Sequence, residues 1–207
     1  MNRNGSIPDD RDGTQGLSTR LRNGWRVLVG PPTQGNTGNG GLLGVRDFYE
    51  MYWDEPVLLM ADGQQARRLG FSSLDSEILS EIGIPGWAAP NLTFSEPKSS
   101  GHGEILIGSD GQDRPIVYRC ADRNVLVLAD AGVRPIAVGL DGLIFTLVMY
   151  AGMIEIAISS DRDAFIENRI PSSLVDRFRT VYCSEFAGLY EGSFIEEEVS
   201  RLASRQA

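Results

Sequence analysis

The order of sequence patterns along this chain of 207 residues predicts an α+β fold. We expect a mainly antiparallel sheet of about four to six strands with helices packed on one side. Four β-rich segments lie between residues 104 and 139, and connections of 4 to 6 residues separate them. Such short connections are typical of hairpins, so neighbouring strands should run antiparallel. Helical patterns come before and after this run of strands, which is typical of α+β proteins.

The first 41 residues are predicted to form a flexible leader rich in Gly, Asn and Arg. They lack a long apolar periodicity, and a segment of this composition buries too little apolar surface to fold. The exception is "WRVLV", residues 25–29, which suits a short strand. A single domain is therefore predicted for residues 42–207.

The clearest helix lies at residues 72–82. Ser72 and Asp75 form a capping-box pattern at its start. Gly83 and Pro85 end it, because glycine accepts a left-handed conformation and proline cannot continue a helix. We predict further helices at 45–53, 140–154, 160–170, 172–190 and 193–207, and a short strand at 56–60. The four β-rich segments are 104–108, 115–119, 124–129 and 134–139.

The charge of the chain is strongly acidic, with 28 acidic and 19 basic residues and a net charge of −9. Residues 1–41 contain five Arg and three Asp, a net charge of +2, which leaves −11 for residues 42–207. Such a charge repels the phosphate backbone of nucleic acids and attracts basic partners. We therefore expect no direct binding to nucleic acid.

The cysteine content and the apolar runs predict a cytoplasmic protein. The two cysteines, Cys120 and Cys183, are too few for a disulfide framework, and the first residues contain no apolar signal-peptide segment. The longest uncharged apolar run, residues 142–154, is too short to span a bilayer. We interpret it as a buried core helix and expect no membrane partner.

Two patterns leave an enzymatic function open. Residues 30–37, "GPPTQGNT", have the spacing of a phosphate-binding loop, but Asn36 replaces its lysine. His102 begins "HGE", half of a zinc deaminase signature whose P-C-x-x-C half is missing. Cys120 and Cys183 are 63 residues apart, so a zinc site would need the fold to bring them to His102. A nucleotide-binding or zinc-dependent enzyme is therefore the alternative function, and no catalytic, cofactor-binding or metal-binding residue is assigned.

The connection after residue 108 contains Asp110 and Asp113, but an EF-hand loop that starts at Asp110 would place Gln112, Arg114 and Ala121 at its third, fifth and twelfth positions, so the pattern fails. Ser, Asp and Gly are typical turn residues, so a hairpin turn is predicted. Asp122 lies in the next connection, and Trp87 lies in the loop after the first clear helix. Aromatic residues in loops are enriched where partners bind. We predict that Asp110, Asp113, Asp122 and Trp87 contribute to partner binding.

The segment "LSEIGIPGWAAPNLTF", followed by "EILIGSDGQDRPIVYRCADRNVLVLA", resembles the SUKH superfamily. This superfamily consists of bacterial immunity proteins that neutralise cognate polymorphic toxins. The resemblance rests on the corner at Gly83, Ile84 and Pro85 and on the Gly-Ser-Asp-Gly turn at residues 108–111. It covers residues 44–190.

The resemblance implies a curved sheet that presents one face to a toxin, without catalysis by the protein itself. An acidic body is complementary to a basic, nucleic-acid-targeting effector. We therefore expect a non-catalytic immunity protein that covers a basic toxin. A scaffold or interaction domain of a larger assembly is a further alternative.

Overall fold

The computed structural model describes residues 12–29, 44–53, 57–130 and 132–203. The helices within these residues are α1 (Asp12–Val29), α2 (Val45–Tyr52), α3 (Gly63–Leu69), α4 (Ser73–Glu77) with a π-helical turn (Ile78–Ile82), α5 (Gly139–Ser160), α6 (Arg162–Ile166), α7 (Ser172–Glu185) and α8 (Phe194–Ala203). The strands are β1 (Leu58–Leu59), β2 (Ile84–Pro85), β3 (Trp87–Ala88), β4 (Leu92–Gly101), β5 (Glu104–Asp110), β6 (Pro115–Arg119), β7 (Asn124–Ala129) and β8 (Gly132–Val138).

Strands β3 to β8 form one antiparallel sheet in chain order. The sheet curls into a half-barrel with the helices on one side, while β1 and β2 pair separately. The predicted α+β fold class is therefore confirmed. The four predicted β-rich segments correspond to β5, β6, β7 and β8. Strand β4 is missing from the sequence prediction, because "LTFSEPKSSG" is largely polar and contains Pro97.

Strand β8 forms one edge of this sheet. Its register with β7 shifts around Ile136, and the neighbouring Pro135 has no N–H to donate. The hydroxyl of Tyr182, on α7, donates a 2.6 Å hydrogen bond to the carbonyl oxygen of Ile136. A side chain of α7 is therefore hydrogen-bonded to one of the main-chain carbonyl oxygens of the edge strand.

Helix α5 is the apolar centre of the fold. Fourteen of its 22 residues are buried, because the sheet lies on one side of it and α1, α2, α4 and α7 pack on the others. By length and composition the helix could cross a membrane, yet 67% of its apolar window is buried inside the protein. The core helix predicted near residues 140–154 is thus confirmed and extends to Ser160.

The prediction of a flexible leader is wrong for residues 12–29, which form α1. Leu17, Leu21 and Leu28 are buried in the core. Their spacings of four and seven residues place them on one face of a helix. The pattern was hidden because Leu17 and Leu21 are surrounded by Gly, Ser, Thr, Arg and Asn, and because the apolar residues 25–29 are consecutive enough to suggest a strand.

Of the remaining predictions for the two ends of the chain, one is wrong and the others concern residues that the structure does not describe. The strand predicted at residues 25–29 is wrong, because these residues continue α1 to Val29. Residues 1–11 and 30–41 of the predicted leader lie outside the described residues, as do residues 204–207 of the predicted final helix.

The packing of α1 gives a stability test. Replacing the fully buried Leu21 with Ala should lower the free energy of unfolding by about 2–5 kcal/mol, since it leaves a cavity against the core. The matched control is Val27→Ala on the same helix, where the side chain is 47% exposed and the change should stay within about 0.5 kcal/mol. Urea unfolding of both variants measures the difference, and equal effects would show that α1 does not belong to the core.

Candidate partner-binding surface

The two faces of the main sheet differ in what covers them. Side chains alternate along a strand, and one set faces the helices. In β5, β6 and β7 this set includes Ile105, Ile107, Ile116, Tyr118, Val125 and Val127, all of which belong to the hydrophobic core. The alternate residues Leu106, Val117 and Leu126 do not belong to that core. They therefore lie on the opposite surface, which we call the outer face.

The strand register defines the rest of the outer face. Leu106 is opposite Val117, Val117 is opposite Leu126, and Leu126 is opposite Pro135. Cross-strand partners share a face of the sheet, so an apolar row crosses four strands. The outer face comprises Trp87, Thr93, Lys98, Leu106, Ser109, Pro115, Val117, Leu126, Leu128, Val133 and Pro135. At its centre Val117 and Leu126 are buried, with exposures of 1% and 3%.

Trp87 occupies the β3 edge of the outer face. Its neighbour Ala88 pairs with Leu92, and both are fully buried on the helix side, so the indole of Trp87 lies on the other side. The side chain is 57% exposed. The main chain beneath it is fixed, because the carbonyl oxygen of Trp87 accepts a 2.9 Å hydrogen bond from Nε1 of Trp53. A large aromatic side chain is thus held toward solvent by a rigid backbone.

Val133 occupies the opposite edge of the outer face. It pairs with Leu128 of β7, and it is 55% exposed. An exposed apolar side chain therefore lies at each edge of the sheet, Trp87 at one edge and Val133 at the other. The apolar row itself runs from Pro135 on β8 to Leu106 on β5, where it meets Lys98 of β4.

Polar residues border one end of the outer face. Glu104 pairs with Arg119 in the register of β5 and β6. The Arg119 guanidinium donates from Nε and Nη2 to both carboxylate oxygens of Asp122, at 2.7 to 3.1 Å. These hydrogen bonds lower the pKa of Asp122 to about 2. The predicted residue Asp122 is therefore an exposed, permanently charged group at the rim.

Asp110 has a structural role in the turn between β5 and β6. Its Oδ1 accepts 3.0 Å hydrogen bonds from the main-chain N–H groups of Gln112 and Arg114, and its Oδ2 accepts from Nε of Arg114 at 2.7 Å. Burial alone would raise the pKa of this carboxyl group, but the bonds from Arg114 and Gln112 outweigh burial and lower it. With a side chain only 2% exposed, Asp110 confirms the predicted turn and offers little surface to a partner.

The structure does not bring the predicted acidic residues together. Asp110 and Asp113 belong to the turn before β6, and Asp122 belongs to the turn after it. The two turns therefore lie at opposite ends of this strand. Asp113 is exposed and has a positive φ of 59°. It lies at the same end of the sheet as Trp87, since Asp110 pairs with Leu92 near the start of β4.

Asp75 is the centre of a buried hydrogen-bond network, and the sequence analysis did not predict this role. It is fully buried, and its carboxylate accepts five hydrogen bonds at 2.5 to 2.9 Å. The donors are the Ser72 hydroxyl, the Tyr118 hydroxyl, Nε and Nη2 of Arg123, and the main-chain N–H of Leu140. One side chain thus joins α4, β6, the turn before β7 and the start of α5.

These hydrogen bonds determine the protonation state of the Asp75 carboxyl group. Burial opposes ionisation of Asp75, but the hydrogen bonds from Arg123, Ser72 and Leu140 outweigh it and lower the pKa below its ordinary value of 3.8. The pKa of Tyr118 shifts in the opposite direction, because burial and the nearby carboxylate of Asp75 raise it to about 12. The pair consists of a carboxylate and a neutral phenol that donates to it, at 2.7 Å.

The network continues to α1. Nη2 of Arg123 lies 2.8 Å from Oδ1 of Asp141, and Oδ2 of Asp141 lies 2.7 Å from Nη1 of Arg20. Arg20 also forms an ion pair with Glu185. An open pocket of about 490 Å³ is lined by Arg20, Arg123, Val138, Asp141, Glu185, Phe186, Ala187 and Leu189. Each of its carboxylates is paired with a guanidinium, so the arrangement stabilises the fold and presents no acid–base pair for chemistry.

A sequence signal for Asp75 exists in its helical spacing. Asp75, Ile78, Leu79 and Ile82 are separated by three, four and seven residues, which places a carboxylate on an apolar helix face. The capping-box interpretation was correct for Ser72, whose hydroxyl oxygen accepts from the Asp75 N–H. It was incomplete for Asp75, whose carboxylate turns into the core.

The alternative chemistry predicted for His102 has little geometric basis. His102 is an exposed turn residue between β4 and β5, with a φ of 53°. Cys120 and Cys183 are half-buried free thiols. Within the described ranges, no group of three His, Cys, Asp or Glu side chains could hold a metal ion. Residues 30–37, with the phosphate-loop spacing, lie outside the described residues.

Comparisons of the chain with protein-family models, curated proteins and solved structures give no match.

Asp75 gives a prediction about stability and pH. Replacing it with Asn should lower the free energy of unfolding by about 3–5 kcal/mol at pH 7, because Arg123 loses its buried partner. Since folding lowers the pKa of Asp75, its contribution is complete above the ordinary value of 3.8 and is lost as the pH falls through the folded value. The difference between wild type and Asp75→Asn in urea unfolding should therefore shrink below about pH 4. A difference that does not change with pH would contradict this role.

Two neighbouring carboxylates give a matched comparison. Asp110→Asn should cost about 1–3 kcal/mol, because it removes the charge that Arg114 binds in the turn. Asp113→Asn should cost less than about 0.5 kcal/mol, because its side chain is exposed and asparagine tolerates a positive φ. Thermal unfolding of both variants checks the assignment, and equal melting temperatures would refute a structural role for Asp110.

Proposed function

We propose that this protein is a non-catalytic immunity protein that binds and neutralises a cognate bacterial toxin. The observation that carries the proposal is the outer face, which presents the exposed side chains of Trp87 and Val133 at its two edges. Protein interfaces combine an apolar centre with a polar rim, and tryptophan is enriched among the residues that contribute most to affinity. A rigid exposed indole loses little conformational freedom when a partner covers it.

The charge of the protein favours a basic partner. The net charge is −9, and Asp122, Asp113 and Glu104 contribute negative charge at the two ends of the outer face. Complementary charge increases the rate at which a basic protein reaches this surface. A toxin that acts on nucleic acids needs a basic surface for its own substrate. Covering that surface would block the toxin without any reaction, and the protein would act in the cytoplasm, where such substrates are found.

The resemblance to the SUKH superfamily supports the same proposal. The corner at Gly83 to Pro85 and the turn at residues 108–111 carry it. The curved antiparallel sheet with helices on one side is of the kind that this resemblance implies. No contact among the described residues favours the nucleotide-binding or zinc-dependent alternative over binding.

The test uses the purified toxin domain that, under this proposal, the neighbouring reading frame encodes. Trp87→Ala and Val133→Glu should each weaken binding of that domain by about 10-fold or more, because the first removes the anchor and the second places a charge in the apolar surface. Calorimetry gives the dissociation constants, and growth of cells that express the toxin reports neutralisation.

The matched control is Ile166→Glu. Ile166 is 65% exposed and lies on α6, away from the sheet, so its replacement should leave the affinity unchanged. Equal effects of Val133→Glu and Ile166→Glu would exclude the outer face as the binding surface. Zinc in the purified protein, or a thermal shift with ATP or GTP, would favour the enzymatic alternative.

A further inference from the structure

Three exposed apolar side chains lie on and beside the small two-stranded sheet of β1 and β2. Val57 is 82% exposed and Met60 is 43% exposed, and the indole of Trp87 is exposed as well. The main-chain N–H of Gly86 donates a 2.7 Å hydrogen bond to the carbonyl oxygen of Val57, so Val57 lies beside the residue that precedes Trp87. The sulfur of Met60 contacts Gly83, at the other end of β2. We call Val57, Met60 and Trp87 the β1–β3 patch.

Helix α2 holds the main chain beneath this patch. Nε1 of Trp53 donates to the carbonyl oxygen of Trp87 after β2, and the hydroxyl of Tyr49 donates a 3.0 Å hydrogen bond to the carbonyl oxygen of Gly83 before β2. The rings of Tyr49 and Trp53 pack edge to face, with 5.7 Å between their centroids. A surface that is already fixed loses little conformational freedom when a partner covers it.

The exposed apolar surface near Trp87 continues toward β1 and not across the outer face. The central outer-face residues Val117 and Leu126 are buried, so they offer a partner little apolar area. The residues that contribute most to affinity lie near the centre of an interface, where neighbouring contacts exclude water. Trp87 is at the edge of the outer face, but with Val57 and Met60 included it has exposed apolar neighbours on the β1 side as well.

The segments next to the β1–β3 patch carry exposed acidic residues. Those on the described segments are Asp47 and Glu50 on α2, Asp62 after β1, Glu81 before β2 and Asp113 in the turn before β6. Arg46 on α2 is exposed too, and its Nη2 donates a 3.2 Å hydrogen bond to the main-chain oxygen of Glu81. Negative charge therefore predominates around the patch, which favours a partner with basic residues.

We infer that the β1–β3 patch is the centre of the surface that binds the basic partner, which covers Val57 and Met60 together with Trp87. The inference rests on the proposed function and adds the position of the partner on the molecule. Trp87 is the rigid anchor, and the flexible side chain of Met60 adapts to apolar groups of the partner. The carboxylates around the patch attract its Lys and Arg side chains.

A charge placed within the patch tests the inference. Val57→Glu and Met60→Glu should each weaken binding of the same toxin domain by about 10-fold or more, because each buries a carboxylate in an apolar contact. Calorimetry measures the dissociation constants. Val57 is so exposed that its replacement should leave the melting temperature unchanged. Ile166→Glu is again the matched control and should bind like wild type.

Charge reversal at the border of the patch gives a kinetic test. The double variant Glu50→Lys with Glu81→Lys should slow association with the toxin domain by about 3-fold or more at low salt, because two attractive charges become repulsive. Surface plasmon resonance measures the association rate. The control is the double variant Glu167→Lys with Glu191→Lys, whose exposed side chains lie on segments that follow α5. An equal decrease in both double variants would contradict the position of the partner.

The outcomes distinguish this inference from the proposed function. If Trp87→Ala and Val133→Glu weaken binding while Val57→Glu and Met60→Glu behave like Ile166→Glu, the inference is overturned and the proposed function stands. If the wild-type protein does not bind the toxin domain, both fail. Sedimentation of the wild-type protein alone examines self-association. A dimer that Val57→Glu dissociates would assign the patch to a second copy of the chain and would also overturn the inference.

Discussion

The fold depends on the solvation of one buried carboxylate. A charged group removed from water is tolerated only where hydrogen bonds replace its hydration, and Asp75 receives five of them from four separate segments. This requirement fixes α4 against β6 and brings the turn before β7 to the start of α5. Arg123 must pass close to the main chain there, and Gly139 leaves the space: a Cβ atom at that position would lie 2.2 Å from Nη2 of Arg123. The same guanidinium extends the constraint to Asp141 and so to α1.

Helix α5 connects this charged centre to the apolar core. Its first turn contributes the N–H of Leu140 and the carboxylate of Asp141 to the network, whereas residues 142–154 carry no charge and are almost entirely apolar. A helix of this composition is stable in water only when other elements cover it completely. The sheet, α7 and α1 do so. The helices therefore occupy one side of the sheet, and the exposed apolar side chains of the outer face, Trp87 and Val133, lie at its edges.

Sequence patterns were sufficient for the parts of the fold that local chemistry determines. The β-rich segments and the short turns between them identified β5 to β8, and Ser72 and Gly83 marked the beginning and end of a helical segment. Strand β4 and helix α1 were not predicted because tertiary packing, not local preference, stabilises them. Pro97 interrupts the strand, and the helix buries only three leucines among 18 residues. The site was harder to predict. The placement of Asp122 and Asp113 at opposite ends of the sheet follows from strand order, and the outer face follows from register. Neither is visible in composition.

The Tyr182 hydroxyl at the edge of β8 has a consequence for solubility. Open strand edges are templates on which other chains polymerise into cross-β aggregates. Here the Tyr182 hydroxyl donates a hydrogen bond to the carbonyl oxygen of Ile136, and the neighbouring Pro135 has no N–H to donate. Main-chain pairing of a foreign peptide is therefore disfavoured at these two residues. A partner that contacts this part of the edge meets side chains, which favours recognition of a folded surface over an extended polypeptide.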